Sequence, residues 1–512
     1  MFLDKDKNRK MLEGSYKKIK SYYNYNKNFV FMKQKIAEYE FDASRMNYSL
    51  ENLSEILMNL ESETSKESIK KLIDKINFFI MPKAFADKSE KNQMFVSSNE
   101  PVNKPVNKVN FFIDMPIELH LLETLWTVLV GKIAYDKGII TDGCYGNCID
   151  NKVVYNHEKE YLASINFDKN NLFKIYFYQY CDWKNNSIYA AEKNIKKDTA
   201  LVSLDIKSYY YTVNFKFREL LVILQNDDNL IKIEKLTDII EQIYVKYTGI
   251  LSEFREVLQD YKKQEVLLPI GTFSSMLIAN LYLSEFDNSM KNNKKVLYYG
   301  RYVDDMLILL DVSADKKVDK NIIIDDYLVE KNKILDKVKE NKYCIHKLDN
   351  LIIQKDKVKI IYLEAKKSRS IINQLKKTIK IPSQMNIIPD SDLELNDFEE
   401  AAYVISNFNN ETKIRDIGQV EVDKFQLGWY LSQIVQNSKV NKALLTEDEK
   451  ISRQHEGEKI LEFFNLSKAL EYSSNWIDVM YFYLLTNEWS YFKKFETNVR
   501  EAIKGIRTEH RD

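Results

Sequence analysis

The sequence predicts an α+β chain, helical at both ends, with short strands gathered in the middle. Only 12 glycines and 7 prolines occur in 512 residues, too few for a turn-rich all-β fold. Helical spacing recurs across residues 48–79, where Leu50, Leu53, Ile56, Leu57, Leu60, Ile69, Leu72, Ile73 and Ile76 form one apolar stripe. Residues 296–310, VLYYGRYVDDMLILL, place two β-rich arms around a polar centre, the pattern of a hairpin.

Taken in order, residues 1 to about 95 read as helical. A polar break, SSNEPVNKPVNKVN, follows at 97–110; its doubled PVNK is a short repeat in a loop, not a repeat architecture. Met115-Pro116 opens an apolar helix through Leu125, Trp126, Leu129 and Val130. Residues 170–200 read as helical and aromatic, with Phe173, Tyr176, Phe177, Tyr180 and Trp183. The run ALVSLD at 200–205 is a short strand ending on Asp205. Helical periodicity returns at 235–262 and 273–290, and the hairpin follows. Residues 350–363 hold two short strands separated by Lys355, Asp356 and Lys357. A basic stretch comes next: Lys366, Lys367, Arg369, Lys376, Lys377 and Lys380. Residues 381–400, IPSQMNIIPDSDLELNDFEE, turn acidic and make the best domain boundary. Beyond it the pattern is of amphipathic helices anchored by Trp429, Tyr430, Phe463, Phe464, Trp476, Tyr481 and Tyr483.

Composition narrows the function. Hydrophobic content of 45% is ample for a folded interior, and the length suggests two to four packed units. Lys+Arg and Asp+Glu both total 76, which counts against a protein that coats long nucleic acid but allows a local basic groove. Cys144, Cys148, Cys181 and Cys344, with His120, His157, His346, His455 and His510, form no paired zinc-ligand set. Cys144 and Cys148 share a helical spacing that suits packing better than metal. So few cysteines fit a reducing compartment. The N-terminal MFLDKDKNRKMLEGSYKK lacks the apolar core of a signal peptide. The most apolar stretch, residues 119–140, carries Glu123, Lys132, Asp136 and Lys137. A cytoplasmic protein without a membrane span is expected.

Three segments carry chemistry together: Val202-Ser-Leu-Asp205-Ile-Lys-Ser-Tyr-Tyr210, Leu268-Pro-Ile-Gly271-Thr-Phe-Ser-Ser275-Met-Leu-Ile-Ala-Asn280 and Tyr302-Val-Asp304-Asp305. Alone, each has an ordinary explanation: a strand-end Asp caps a helix, Pro-x-Gly leads into one, Asp-Asp makes a turn. In this order they resemble the palm motifs of reverse transcriptases. Polymerases of that kind join a 3′-hydroxyl to an α-phosphate using two divalent ions roughly 3.5–4 Å apart. Hard oxygen ligands suit Mg²⁺, so carboxylates from separate strands must converge. The resemblance implies that Asp205 and Asp304 are metal ligands, Asp305 the supporting acid, and the Ile206 carbonyl a further ligand to one of two Mg²⁺ ions, for which Mn²⁺ can substitute. It implies that Tyr210 lies under the nucleotide sugar and selects deoxynucleotides, with Gly271, Ser275 and Asn280 completing the nucleotide site. Tyr209, Tyr210 and Tyr211 form a run, any one of which could be core. Ile270 stands where many such enzymes have Gln, and Met276 where they have Pro. Lys347 is a candidate for a later catalytic lysine.

The runs Asp114-Met-Pro-Ile-Glu-Leu-His-Leu-Leu-Glu-Thr-Leu-Trp126, Cys144-Tyr-Gly-Asn147 and Tyr176-x3-Tyr180-x2-Trp183 resemble the bacterial abortive-infection and other defence-associated reverse transcriptases. That likeness, over roughly residues 110–310, implies a right-hand polymerase. Its parts would be a helical N-terminal segment with part of the fingers at 1–110, fingers at 111–195, palm at 196–380 and an all-α, repeat-like domain at 385–512. It also implies anti-phage defence by a homo-oligomer that uses dNTPs. Its DNA product would be attached to one of its own tyrosines, or else copied from a non-coding RNA. Tyr430, Tyr472 and Tyr481 are C-terminal tyrosines for which packing is the better reading. Lys366, Lys367, Arg369, Lys376 and Lys377 are candidate nucleic-acid contacts, with a solvated charged face as the equal alternative. Rival readings are a retroelement reverse transcriptase copying a cognate RNA, a non-catalytic RNA-binding scaffold, and an RNA-making polymerase, which Tyr210 disfavours.

Overall fold

The computed structural model describes residues 2, 4–25, 29–85, 106–154, 161–213, 215–224, 228–254, 266–312, 319–384, 398, 403–407, 417–422, 424–439 and 446–505. The fold is α+β, and the chain divides into two units. One comprises Met1–Tyr25, Met32–Phe79 and Phe111–Ser383; the other comprises Asn26–Phe31, Ile80–Asn110 and Gln384–Asp512. The stretches 111–195 and 196–380 therefore fold as parts of one unit.

The chain opens with α1 (Lys5–Tyr25), α2 (Val30–Phe41), α3 (Ala43–Met58) and α4 (Glu63–Ile73). The Asp42 carboxylate accepts from the Ser44 and Arg45 N–H groups at the start of α3, and the Ser62 hydroxyl accepts from Ser65 N–H at the start of α4. Leu50, Leu53, Ile56, Leu57, Ile69, Ile73 and Ile76 of the helical stripe are buried. The helical reading ends there. Asn77–Phe85 is β1, paired with β2 (Val106–Asp114) in a two-stranded ribbon. The apolar runs Phe78-Phe-Ile and Phe111-Phe-Ile suit a sheet surface as well as a helix, and Phe78 meets Phe111 edge-on with centroids 5.4 Å apart. Residues 106–110, expected in a loop, belong to β2; residues 97–105 lie outside the described residues.

Helix α5 (Ile117–Asp136) follows Pro116 and is buried on every side, including His120, Glu123 and Lys132. It packs against α1, α3 and α4, as expected of a helix apolar all round. Then come α6 (Asn151–Val154), α7 (Tyr176–Lys193), β3 (Thr199–Asp205), α8 (Tyr209–Thr212), α9 (Phe217–Ile223), α10 (Asp228–Lys232) and α11 (Glu234–Leu251). Next are α12 (Phe273–Tyr282), α13 (Ser284–Asn292), β4 (Val296–Tyr302) and β5 (Asp305–Asp311). A short α14 (Lys320–Ile322) runs into a π-helix at Ile323–Lys331. The unit closes with β6 (Leu335–Lys339), β7 (Lys342–Ile345), β8 (Leu348–Gln354), β9 (Lys359–Leu363) and α15 (Arg369–Gln384).

Strands β4-β5-β3-β9 form one antiparallel sheet, and β6-β7-β8 form another. The two strands expected at 350–363 thus belong to different sheets. On one face of the larger sheet Ala200, Val202, Leu204, Met306, Ile308 and Leu310 are wholly buried. On the other, Leu201, Leu309 and Leu363 pack with Ile188 and Ala191 of α7 and Ile372 of α15.

In the second unit the described helices are α16 (Lys424–Asn437), α17 (Glu447–Phe463), α18 (Leu466–Glu471), α19 (Trp476–Leu485) and α20 (Trp489–Lys504). Their core includes Leu427, Tyr430, Leu431, Phe463, Phe464, Tyr472, Phe482 and Tyr483. It is not all-α: β10 (Tyr403–Asn407) and β11 (Ile417–Val422) pair antiparallel. Both strands are short and rich in β-branched residues, too brief for periodicity to separate from helix. Tyr430 and Tyr472 are buried in the core, whereas Tyr481 is 54% exposed because Val479, Phe482 and Tyr483 take the inner face of α19.

Candidate active site

Antiparallel registry puts Asp205 directly opposite Asp305. Directly opposed residues share a face, with Cβ atoms about 4.5–5.5 Å apart, and like charges in that arrangement oppose pairing. This is the face that α7 and α15 cover at Leu201 and Leu309; two residues on it turns half-buried at Ser203 and Leu307, and it ends on the two carboxylates. The cover stops where the charges begin. Burial and the charge of Asp205 both hold the Asp305 carboxyl above its ordinary range, opposed by Lys357 and Lys184.

Asp304 sits in the two-residue turn between Tyr302 and Asp305, which pair across the hairpin. Val303, ahead of it, has φ +59°. A β-branched residue there is a backbone outlier of the sort that costs of order 1–3 kcal/mol and collects at functional sites. The Asp304 carbonyl accepts from Ile206 N–H at 3.3 Å, so Ile206 lies beside the turn. Asp205 and Asp305 are thus opposed, with Ile206 and the Asp304 backbone beside them.

The tyrosine run resolves. Tyr209 donates its hydroxyl to the Ala279 carbonyl at 2.6 Å, and Tyr211 accepts from Phe111 N–H at 2.9 Å; both are buried. Tyr210 alone keeps partial exposure, and its phenol is pushed up by burial, then by Tyr22 and Asp304 nearby. Tyr302 feels Tyr22 as well, and packs its ring on Tyr180 and Trp183 of α7. A Cβ on Gly300 would come within 2.9 Å of the Trp183 ring, whose Nε1–H donates to the Gly300 carbonyl. Tyr22, on α1, is a site neighbour with no local sequence signal.

The second motif is buried and bonded within the protein. Residues Phe273–Leu281 of α12 are all buried. Ser275 bonds within the protein to Thr272 and Tyr244, and Asn280 donates to the Gly146 and Asn147 carbonyls. Gly271, at φ +105°, has its carbonyl taken by the Tyr23 hydroxyl. Ser275, Asn280 and the Gly271 carbonyl are thus each engaged within the protein. The buried Glu123 carboxylate accepts from Phe273 and Ser274 N–H groups, an anionic cap on the positive end of α12. Ile270 joins the end of β2, its carbonyl accepting from Ile113 N–H, and Met276 is core.

The basic candidates lie elsewhere. Leu363 pairs with Thr199, at the far end of β3 from Asp205, a separation of about 20 Å along the strand. Lys366, Lys367 and Arg369 follow that end and are exposed; Lys367 pairs with Glu364 and Lys376 with Glu192. The Lys377 side chain lies outside the described residues. Lys347 is at the β7–β8 turn, where its N–H donates to Asp336. The lysine at the carboxylates is Lys357, whose Nζ donates to Asp205 Oδ2 at 2.6 Å.

Among the described residues no group of three or more His, Cys, Asp or Glu is placed to hold a metal ion, Asp205, Asp304 and Asp305 included. Mg²⁺ seldom needs such a group, since it takes one or two carboxylates and completes its shell with water and phosphate oxygens. The opposed Asp205–Asp305 pair, whose mutual repulsion a cation relieves, fits that habit. No helix among the described residues is long and apolar enough to cross a membrane. Comparison with protein-family models and with curated proteins finds no match to this chain.

Proposed function

We propose that this protein is a DNA polymerase of the reverse-transcriptase type that adds deoxynucleotides by two-metal chemistry. One observation carries the reading: Asp205 and Asp305 oppose each other on neighbouring strands beside a strained turn bearing Asp304, at the uncovered end of a sheet. A folded protein has little reason to keep such a pair unless a cation joins it.

Asp205, Asp304, Asp305 and the Ile206 carbonyl would hold Mg²⁺, which on binding neutralises triphosphate charge and lowers the pKa of the attacking hydroxyl. The chain's own residues supply the rest. Tyr210, next to Asp304 in the electrostatics of the site, limits the space at the sugar and so excludes a 2′-hydroxyl. The Tyr302–Tyr180–Trp183 stack walls the other side of the hairpin. Lys357 offsets Asp205 when the cation is absent and is free to meet phosphate when it is present. In this reading the enzyme belongs to bacterial anti-phage defence and works as a homo-oligomer, its DNA attached to its own tyrosine or templated by a non-coding RNA.

The test is dNTP incorporation by the full chain with Mg²⁺. Asp304→Asn should abolish incorporation while the thermal melt stays within a few degrees of wild type, because the residue is in a turn and not in the core. Incorporation that survives this change overturns the assignment.

A further inference from the structure

Arg301 is wholly buried, and so is its partner Asp287. Every N–H of its guanidinium has an acceptor. Nε donates to Asp287 Oδ1 at 2.9 Å and Nη2 to Asp287 Oδ2 at 2.6 Å, a bidentate pair. Nη2 also meets Cys144 Sγ at 3.6 Å. Nη1 donates to Asn280 Oδ1 at 3.0 Å and to the Val303 carbonyl at 2.8 Å. Asp287 takes a further bond from the Tyr299 hydroxyl at 2.6 Å. The arginine's own backbone is held as well: its N–H donates to Gly143 and its carbonyl accepts from Tyr145.

The bond to Val303 is the informative one. The Val303 carbonyl and the Asp304 N–H share one rigid peptide plane, the central peptide of the two-residue turn. Two-residue turns interconvert by flipping that plane, which here would re-aim Asp304. Val303 at φ +59° does not hold the plane by its own preference. Packing closes the other side. A Cβ on Gly146 would lie 2.7 Å from Val303 N, so the segment Cys144–Asn147 fits against the turn only because that residue is glycine. Asn280 ties the segment down through the Gly146 and Asn147 carbonyls at 2.9 and 3.1 Å.

We infer that Arg301, oriented by Asp287 and Asn280, is the positioning residue that locks the Val303–Asp304 peptide and thereby aims Asp304 at the metal site. This rests on the polymerase reading. Arg301 does not touch substrate or metal; it acts through the turn. A lysine would keep the charge opposite Asp287, but one ammonium cannot also serve Asn280 and Val303 in a planar fork.

The experiment uses the full chain and three proteins: wild type, Arg301→Lys and Asn280→Ala. Mn²⁺ affinity is read by electron paramagnetic resonance without nucleotide, and kcat and dNTP KM are read with Mg²⁺. Outer-sphere changes of this kind weaken metal affinity or activity by about 10–100-fold. The expected result is a loss of that size in Mn²⁺ affinity and kcat for Arg301→Lys, a smaller loss for Asn280→Ala, and KM within about twofold, since misaim acts on the chemical step. If Arg301→Lys does not fold, Asn280→Ala carries the test, because it leaves the buried ion pair intact. Folded variants with wild-type Mn²⁺ affinity and kcat overturn the inference. So does loss of fold in both, which makes the cluster a core element only. A wild type that neither binds Mn²⁺ nor incorporates dNTP overturns the polymerase reading instead.

Discussion

Replacing Asp305 with Asn should make the metal-free protein more stable while destroying its activity. Asp305 faces Asp205 directly across β3 and β5, and its carboxyl is held above the ordinary range by burial and by that neighbour. A raised folded pKa means that the folded state binds the proton more tightly than the unfolded chain. The associated stability is fully present below the unfolded value and is lost as pH rises through the folded one. At neutral pH the ionised pair therefore opposes folding. Because Asp305 is solvent-exposed on one side, the scale is that of a cross-strand like-charge pair, about 0.2–1 kcal/mol. For a unit of this size that is a rise in Tm of roughly 0.3–1.4 °C. Thermal melts of wild type, Asp305→Asn, Asp205→Asn and the double variant, in chelator at pH 7, form a cycle that isolates the pair and leaves the Asp205–Lys357 bond as a separate contribution. Adding Mg²⁺ should raise the wild-type Tm and leave Asp305→Asn nearly unmoved. A lower Tm for Asp305→Asn in chelator, or a coupling of opposite sign, would refute the reasoning.

Tyr210→Ala should admit ribonucleotides, measured as the rNTP-to-dNTP ratio of kcat/KM, whereas Tyr209→Phe and Tyr211→Phe should leave that ratio alone and lower stability by about 1 kcal/mol each through a lost buried hydrogen bond. Unchanged selectivity in Tyr210→Ala would remove its steric role. Lys18, buried with its Nζ on the Phe167 and Lys169 carbonyls, is pushed down to about 8 by desolvation. Between that value and 10.5 the unfolded chain holds a proton that the folded one lacks, so its contribution to stability rises with pH. Denaturant melts from pH 8 to 9.5 should show a gain of up to about 2 kcal/mol relative to Lys18→Met, whose curve lacks this component. Parallel curves for the two proteins would contradict it.

The parts of this fold legible in the sequence are those where one periodicity runs long enough to stand alone. Residues 117–136 are apolar all round and form the buried α5; Ala200–Asp205 and the arms around Tyr302–Asp305 are strands. The α+β class followed from them. Short apolar runs were not legible: Phe78-Phe-Ile and Tyr403-Val-Ile suit helix and strand equally, and a partner far along the chain decides between them. The carboxylates were singled out through a resemblance of three motifs, but their opposition depends on which strands become neighbours. Side-chain direction was hidden too. Tyr210 separates from Tyr209 and Tyr211 only once each hydroxyl has or lacks a backbone partner, and Ser275 and Asn280 turn inward because α12 is buried all round. Nothing local in the sequence singles out Arg301 or Asp287. Their burial follows from Tyr299, Asn280, Cys144 and the turn meeting at one point, and no local pattern encodes that.

The central claim is tested most directly by incubating the purified full chain with Mg²⁺ and each labelled dNTP, with bound RNA removed by nuclease and no nucleic acid added, then resolving it on a denaturing gel. The account predicts label incorporated by wild type and none by Asp304→Asn: in the protein band if synthesis is self-primed, or in free DNA once an RNA is restored. Absence of label from wild type under both conditions, or equal label in Asp304→Asn, would contradict it.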